Sequence, residues 1–189
     1  MSRFRISARH GVFALFLFAA GCATPPPPPP KPPTPEPPRK QSSWTGEGVT
    51  GEPSIAIILS EQRAHFFKGK TEVGQAVISS GKKGFETPTG DFKVIQRDRN
   101  HFSNLYGEFV DETGEVVQRN VDVSKQQPPE GASFQGAKMP FFLRFHGGTG
   151  MHAGRLPGYP ASHGCVRLPR FMAEHFFEHA PIGTPVTVK

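Results

Sequence analysis

Eleven of the fourteen residues between Pro25 and Pro38 are proline. Proline fixes the backbone φ angle and lacks an N–H group, so this stretch cannot join a packed core and favours an extended polyproline II helix. At about 3.1 Å per residue, the segment from residue 23 to residue 43 would reach roughly 65 Å. The chain therefore divides into an N-terminal segment (residues 1–21), a tether (residues 22–43) and one domain of ordinary size (residues 44–189).

The N-terminal segment has the pattern of an export signal. Three arginines precede nine consecutive apolar residues, Val12 to Ala20. That run is too short to span a bilayer, which takes about 20 residues. Residues 19–22 read Ala-Ala-Gly-Cys and resemble a bacterial lipobox, in which the cysteine becomes a lipidated N-terminus. We expect a signal peptide over residues 1–21 and a lipid anchor on Cys22, with cleavage that leaves no lipid as the alternative.

These features indicate a location in the bacterial cell envelope. An exported lipoprotein would be held at the periplasmic face of a membrane by its N-terminal lipid. Ala23 follows Cys22 at the position where aspartate commonly retains lipoproteins in the inner membrane. In a diderm host we therefore expect the outer membrane.

The charge pattern argues against nucleic-acid binding. The formal charge of the chain is +6, but from Gln41 onward there are 16 basic and 15 acidic side chains. Phosphate binding normally draws on clustered lysine and arginine. We expect no nucleic-acid partner for the domain.

The region after the tether reads as mainly β. Short β-branched or alternating runs separated by turn residues predict strands, and Thr87-Pro88-Thr89-Gly90 has the pattern of a type I turn. The predicted strands are residues 54–59, 63–67, 71–79, 91–96, 141–145 and 184–188. One helix is predicted after Pro169, because Leu168, Met172 and Phe176 recur at spacing four. The fold class expected is a β-sandwich or partly closed barrel with one or two short helices.

Cys165 has the features of a reactive thiol. The chain has two cysteines, so a lipid on Cys22 would leave Cys165 without a disulfide partner, although exported proteins usually pair their cysteines. Residues 162–167 read Ser-His-Gly-Cys-Val-Arg, which is polar and flexible rather than typical of a core strand. A thiolate is a strong nucleophile, and a nearby imidazole helps it form. We interpret Cys165 as a nucleophile.

Three histidines are candidates for the base that would activate this thiol. His163 and His152 precede the cysteine by two and thirteen residues, and His146 lies farther upstream. Sequence spacing does not choose between His152 and His163, because a base must reach the sulfur in space. The backbone N–H groups of Gly164 and of the cysteine itself would receive a developing oxyanion, and Arg167 would supply a fixed positive charge.

Two segments carry a family resemblance. Gly150-Met151-His152-Ala153-Gly154 and the run from Pro160 to Leu168 resemble the active-site signature of the YkuD-type L,D-transpeptidases. Upstream, Ser80-Gly81-Lys82 and the run from Glu86 to Phe92 resemble the opening region of that family. The resemblance spans Ser54 to Lys189 and implies the L,D-transpeptidase type of catalytic β-sandwich.

The resemblance implies acyl transfer on peptidoglycan stem peptides. Cys165 would attack the carbonyl of the third stem residue, expel the terminal D-residue and form a thioester. An amine of a second stem would then complete a 3→3 cross-link. In this family pattern His152 is the base, the Ala153 carbonyl orients its ring, and carbapenems acylate the nucleophile. The oxyanion and substrate side would consist of Ser162, His163, Gly164 and Arg167.

Other interpretations remain open at this stage. Water as the acceptor would make the protein an L,D-carboxypeptidase, and a protein lysine would make it an anchoring enzyme. A non-catalytic cell-wall-binding lipoprotein would keep the fold without the chemistry. His146, His152, His163 and Cys165 could be read as zinc ligands, but their spacing matches no standard zinc motif. We expect no metal, no cofactor and a monomer.

Overall fold

The computed structural model describes residues 41–189. The predicted signal peptide, the lipid attachment at Cys22 and the proline tether through residue 40 lie outside the described residues. They stay predictions.

Eleven strands and a helix make up residues 41–189. The strands are β1 (Ser43–Trp44), β2 (Pro53–Ile58), β3 (Arg63–Lys68), β4 (Thr71–Val77), β5 (Gly90–Lys93), β6 (Gln96–Val110), β7 (Val116–Asp122), β8 (Ser133–His146), β9 (Thr149–Ala153), β10 (Val166–Leu168) and β11 (Pro185–Val188). The helix is α1 (Arg170–His179).

The strands form two mixed sheets. One has six strands in the order β1-β4-β3-β2-β11-β5, and the other has five in the order β10-β9-β8-β6-β7. The pairs β2–β11 and β9–β10 are parallel, and the other pairs are antiparallel. Neither sheet closes on itself within residues 41–189. The mainly β fold class is confirmed in an open, two-sheet form.

One hydrophobic core joins both sheets and the helix. It contains Ile57 and Phe66 of the first sheet, Leu143 and Met151 of the second, and Phe176 of α1. The spacing-four pattern is confirmed, since Met172 and Phe176 are fully buried, although Leu168 ends β10 instead of entering the helix. No helix of residues 41–189 is long and apolar enough to cross a membrane.

Strand length is where sequence patterns and structure differ most. The predicted strands correspond to β2, β3, β4, β5 and β11 within a few residues, but β6 and β8 are 15 and 14 residues long. The first half of β6, Gln-Arg-Asp-Arg-Asn-His, lacks the apolar alternation of a half-buried strand. It is a strand because it pairs with β8 over most of its length.

A large bulge in β6 shapes the region around the thiol. Phe102 pairs with Lys138, while Gly107 pairs with Gly136, so residues 103–106 of β6 face a single residue of β8. Such an insertion bends the strand and re-aims its side chains. The bulge requires Gly136, because a Cβ there would lie 1.9 Å from the carbonyl oxygen of Ser103.

Trp44 attaches the start of the described region to the domain. Its ring stacks on His175 of α1, with centroids 4.7 Å apart and planes at 6°, and meets Phe66 edge-on at 5.3 Å. Gly74 of the neighbouring strand β4 leaves room for this ring, since a Cβ at Gly74 would lie 2.6 Å from Trp44 Cε3. The start of the described region is thus held to the rest of the domain by a fitted aromatic contact.

A double-mutant cycle tests this contact. Gly74→Ala should lower the free energy of unfolding by about 2 kcal/mol, because the added methyl overpacks the ring. In the background of Trp44→Ala the same substitution should cost much less, since the ring is gone. Denaturant unfolding of the four proteins measures the coupling. Strictly additive losses would contradict the proposed contact.

Candidate active site

The loop that carries Cys165 is fixed by its own hydrogen bonds. Ser162 Oγ accepts a hydrogen bond from Gly164 N–H at 3.1 Å and donates to the Cys165 carbonyl. Gly164 has φ +112°, a backbone conformation that favours glycine. Cys165 is the last residue before β10, so the sheet holds one end of the loop.

A second segment, residues 79–82, holds the loop from outside. The N–H and the carbonyl of Ser79 both bond to Arg167, each at 3.0 Å. The Ser80 carbonyl accepts from Ala161 N–H and Ser162 N–H, also at 3.0 Å. The resemblance singled out part of this segment, and the structure shows what it contacts.

Thr87 joins the two segments and was not identified as a site residue from sequence. Its hydroxyl donates to the Gly164 carbonyl at 2.7 Å and accepts from Gly81 N–H at 2.9 Å. The side chain is 3% exposed. Residues 87–90 were predicted as a type I turn, but the backbone-hydrogen-bonded turn lies earlier, where Phe85 N–H donates to the Lys82 carbonyl. The Thr87 hydroxyl therefore bridges residues 79–82 and the loop that carries Cys165.

Cys165 is half-buried beside a cavity of about 540 Å³. Burial raises the pKa of its thiol above the ordinary value, and this effect outweighs the Gly150 backbone hydrogen bond and the positive charges of Arg167 and Arg144. The thiol is therefore protonated near neutral pH. The sulfur also lies 3.9 Å from the Gly148 carbonyl oxygen.

His152 lines the same cavity from β9. Its Nδ1–H donates to the Ala153 carbonyl at 2.9 Å, the hydrogen bond that the resemblance implied, which leaves the Nε2 lone pair free to accept a proton. Burial, opposed by that hydrogen bond and assisted by the charges of Arg167 and His101, lowers the pKa of His152 to about 4. The resting pair is a neutral thiol with a neutral imidazole.

The other two candidate histidines have different surroundings. His163 lines the cavity, but its ring stacks on Tyr106 at 4.3 Å and meets Phe85 edge-on at 4.7 Å. Burial and the nearby Lys82 and Arg167 charges lower its pKa. His146 is exposed and packs on Phe92 at 4.9 Å, and it is not among the residues that line this cavity.

The cavity wall is positively charged. The charged side chains that line it, apart from histidines, are Lys138, Arg144, Arg155 and Arg167, with no carboxylate among the described lining residues. A second cavity of about 410 Å³ shares Tyr106, His163 and Arg167 with the first. Among residues 41–189, no group of three or more His, Cys, Asp or Glu side chains is arranged to hold a metal ion.

The family comparison agrees with this arrangement. A sequence model of the L,D-transpeptidase catalytic domain, YkuD, matches residues 52–188. The chain belongs to the YkuD family. No curated protein matches the sequence. The family match begins after Trp44, whereas the residues that Trp44 contacts, Phe66, Gly74 and His175, lie inside the matched segment.

Solved structures of L,D-transpeptidases share the fold. The enzyme from Mycobacterium smegmatis is 17% identical, with a TM-score of 0.56 over 73% of this chain and 58% of that one. The enzyme from Xylanimonas cellulosilytica is 25% identical, with a TM-score of 0.54 over 75% and 62%. An LD transpeptidase in complex with imipenem is 15% identical, with a TM-score of 0.55 over 72% and 58%. The aligned region is thus less than two thirds of each of these chains.

Two substitutions of Thr87 test its bridging role in this YkuD domain. Thr87→Val should leave the Gly164 carbonyl and the Gly81 N–H buried without partners, at a cost of about 2 to 4 kcal/mol of unfolding free energy. Thr87→Ser keeps the hydroxyl and should cost much less. Chemical denaturation gives the stabilities, and hydrogen exchange of residues 162–165 reports whether the loop opens. Equal losses for both variants would contradict the bridge.

The neutral resting pair predicts how Cys165 responds to pH. In a Cys22→Ala background, the alkylation rate of Cys165 by iodoacetamide should keep rising beyond about pH 9, because the raised pKa delays thiolate formation. His152→Gln should not shift this profile towards higher pH, since no imidazolium stabilises the thiolate in the resting enzyme. Mass spectrometry follows the reaction. A plateau below pH 7 that His152→Gln abolishes would indicate an ion pair instead.

Proposed function

We propose that the domain is a peptidoglycan L,D-transpeptidase that works through a Cys165 acyl-enzyme. The observation that carries this proposal is the shared cavity, which is lined by both Cys165 and His152, a buried imidazole whose Nδ1 is bonded to the Ala153 carbonyl and whose Nε2 is left to accept a proton. A nucleophile with an oriented base is the arrangement that covalent acyl transfer requires. Membership of the YkuD family supports the same reaction class.

In the first half-reaction, Cys165 forms a thioester with the donor stem. As Sγ attacks the carbonyl carbon of the third stem residue, its proton passes to Nε2 of His152. The tetrahedral intermediate collapses when the bond to the terminal D-residue breaks, and His152 returns the proton to the leaving amine. A base with a pKa of about 4 is suited to passing this proton on rather than retaining it.

The oxyanion would be received by the backbone at the nucleophile. Gly164 N–H already donates to Ser162 Oγ, so the donor we propose is the Cys165 N–H. The positive charge of Arg167, half-buried in the same cavity wall, would add electrostatic stabilisation. On this proposal Ser162 and Gly164 shape the loop, while His163 and Arg167 border the substrate.

The charge of the cavity supports an anionic donor. Peptidoglycan stems carry several carboxylates, and four lysine or arginine side chains line the cavity. Arginine in particular binds carboxylates through two parallel hydrogen bonds. The adjoining cavity, which shares His163 and Arg167, would hold the body of the second stem, while its amine would enter the first cavity to reach Cys165. In the second half-reaction an amine of that stem attacks the thioester and produces the 3→3 cross-link.

We place this reaction at the periplasmic side of the cell envelope. The sequence of residues 1–22 supports export and lipidation of Cys22, and the proline tether would let the domain reach the wall from the membrane. The intact mass of the mature protein tests this placement, because a lipidated Cys22 adds the mass of its acyl chains. A mature chain that begins elsewhere would contradict it.

Substitution of each cysteine in turn tests catalysis. The full-length Cys165→Ala protein should form no adduct with meropenem and no 3→3 muropeptides, because the nucleophile is missing. The matched control, Cys22→Ala, should retain the adduct. Intact mass spectrometry measures the adduct, and muropeptide analysis in a strain without other such enzymes measures the product.

Each remaining outcome of this experiment identifies a different function. Identical muropeptides from wild type and Cys165→Ala would favour a wall-binding protein without activity. Accumulation of tripeptide stems in the presence of excess acceptor would indicate an L,D-carboxypeptidase. A stable link to a protein lysine would indicate an anchoring enzyme.

A further inference from the structure

We propose that His101, paired with Asp98, is a second base of this active site and removes a proton from the ammonium group of the acyl acceptor. This inference rests on the proposed acyl transfer and assigns its second half-reaction to residues outside the catalytic loop. Both residues lie on β6, in the polar half of the strand where sequence patterns predicted no function.

The hydrogen bonds of the pair leave one ring nitrogen of His101 available to accept a proton. His101 Nδ1–H donates to Asp98 Oδ2 at 3.0 Å, and Asp98 Oδ1 accepts from Asn100 N–H at 3.0 Å. The carboxylate is therefore held in place and fixes the orientation of the imidazole ring. With Nδ1 occupied, Nε2 is the position that accepts a proton.

His101 lies in the same cavity as the catalytic pair. It lines that cavity together with His152 and Cys165. Its ring stacks on Phe142 with centroids 4.2 Å apart and planes at 8°, and Phe142 is 6.4 Å from the His152 ring. The two imidazoles thus lie beside the same aromatic ring, and both line the cavity.

The proton balance of the second half-reaction calls for such a group. The thioester and an ammonium group give an amide, the Cys165 thiol and one free proton. One proton of the acceptor returns to the sulfur through His152, but the other must leave before the nitrogen can attack. His152, with its pKa of about 4, is too weak a base to hold that proton. His101 would take it and pass it to water.

The positive charges that line the cavity also favour removal of a proton from the acceptor. Lys138 and Arg144 line it, and the Arg144 guanidinium lies 5.5 Å from the Phe142 ring centroid. An ammonium acceptor would be repelled by these cations. Asp98 does not line the cavity, but it places a negative charge directly behind His101, to which it is hydrogen-bonded, and deprotonation of the acceptor then removes the repulsion.

A comparison of two acceptors tests the proposal on the full-length enzyme. The acyl-enzyme is formed with a tetrapeptide stem and offered either a diamino-acid stem, whose amine is an ammonium at pH 7, or hydroxylamine, which is already neutral. The ratio of the two transfer rates is measured, so any loss in acyl-enzyme formation cancels. For His101→Gln and Asp98→Asn the ratio of ammonium to hydroxylamine transfer should fall at least about tenfold, since hydroxylamine needs no base.

The chain provides a matched control. His65 also donates through Nδ1 to a carboxylate, Glu72, at 2.9 Å, and its side chain is 16% exposed against 18% for His101. It lies on β3 and is not among the residues that line the cavity. His65→Gln should leave the ratio unchanged. His101→Phe keeps the aromatic stacking on Phe142 and should lower the ratio as much as His101→Gln.

The outcomes separate this proposal from the one on which it rests. An unchanged ratio in His101→Gln or His101→Phe, or equal losses with both acceptors, would overturn the role of His101 and leave the Cys165 acyl-enzyme standing. Failure of the wild type to form an acyl-enzyme with the tetrapeptide would instead refute the proposed function. A fall that is specific to the ammonium acceptor supports the second base.

Discussion

The geometry of the loop that carries Cys165, residues 162–165, depends on its hydrogen bonds with residues 79–87. Thr87 and Gly164 are 77 residues apart in the chain, and the loop between Ser162 and Cys165 has no regular secondary structure to hold it. A loop fixed only by its own bonds would open easily, because few contacts oppose it. Backbone bonds from Ser79 and Ser80, together with the Thr87 hydroxyl, connect it to the rigid sheets and fix the direction of the sulfur.

Burial decides the protonation states once the loop is in place. A thiolate or an imidazolium loses hydration energy in a site shielded from water, so Cys165 and His152 are both neutral at rest. On the proposed mechanism, charge would develop only during the reaction, on the substrate carbonyl oxygen, where the Cys165 N–H and Arg167 would stabilise it. The enzyme would gain selectivity from this arrangement, since an uncharged thiol reacts slowly with electrophiles that the site does not orient.

Sequence patterns predicted what depends on local chemistry and missed what depends on distant pairing. The two-sheet fold and helix α1 followed from alternation and spacing, and an unpaired cysteine in an exported protein singled out Cys165. Spacing left His152 and His163 equally plausible as the base, and the family resemblance favoured His152. Thr87 lay within a recognised segment, but its contact with Gly164 is not encoded by nearby residues. The β6 bulge and the neighbours of His101 depend on pairing with β8, which no local pattern indicates.

Different strands provide the Cys165–His152 pair and the rest of the cavity wall. Cys165 directly precedes β10, and His152 lies near the end of β9. Another part of the cavity wall comes from β6 and its bulge, including Tyr106, which borders both cavities. On the proposed function, a change in β6 would therefore alter the shape and charge offered to the second substrate without moving Cys165 or His152. The fold favours this division, because β9 and β10 contribute Met151, Ala153, Val166 and Leu168 to the main hydrophobic core, to which no residue of β6 belongs. Acceptor choice would thus reside in the polar first half of β6 and in its bulge, where polar side chains cost little stability.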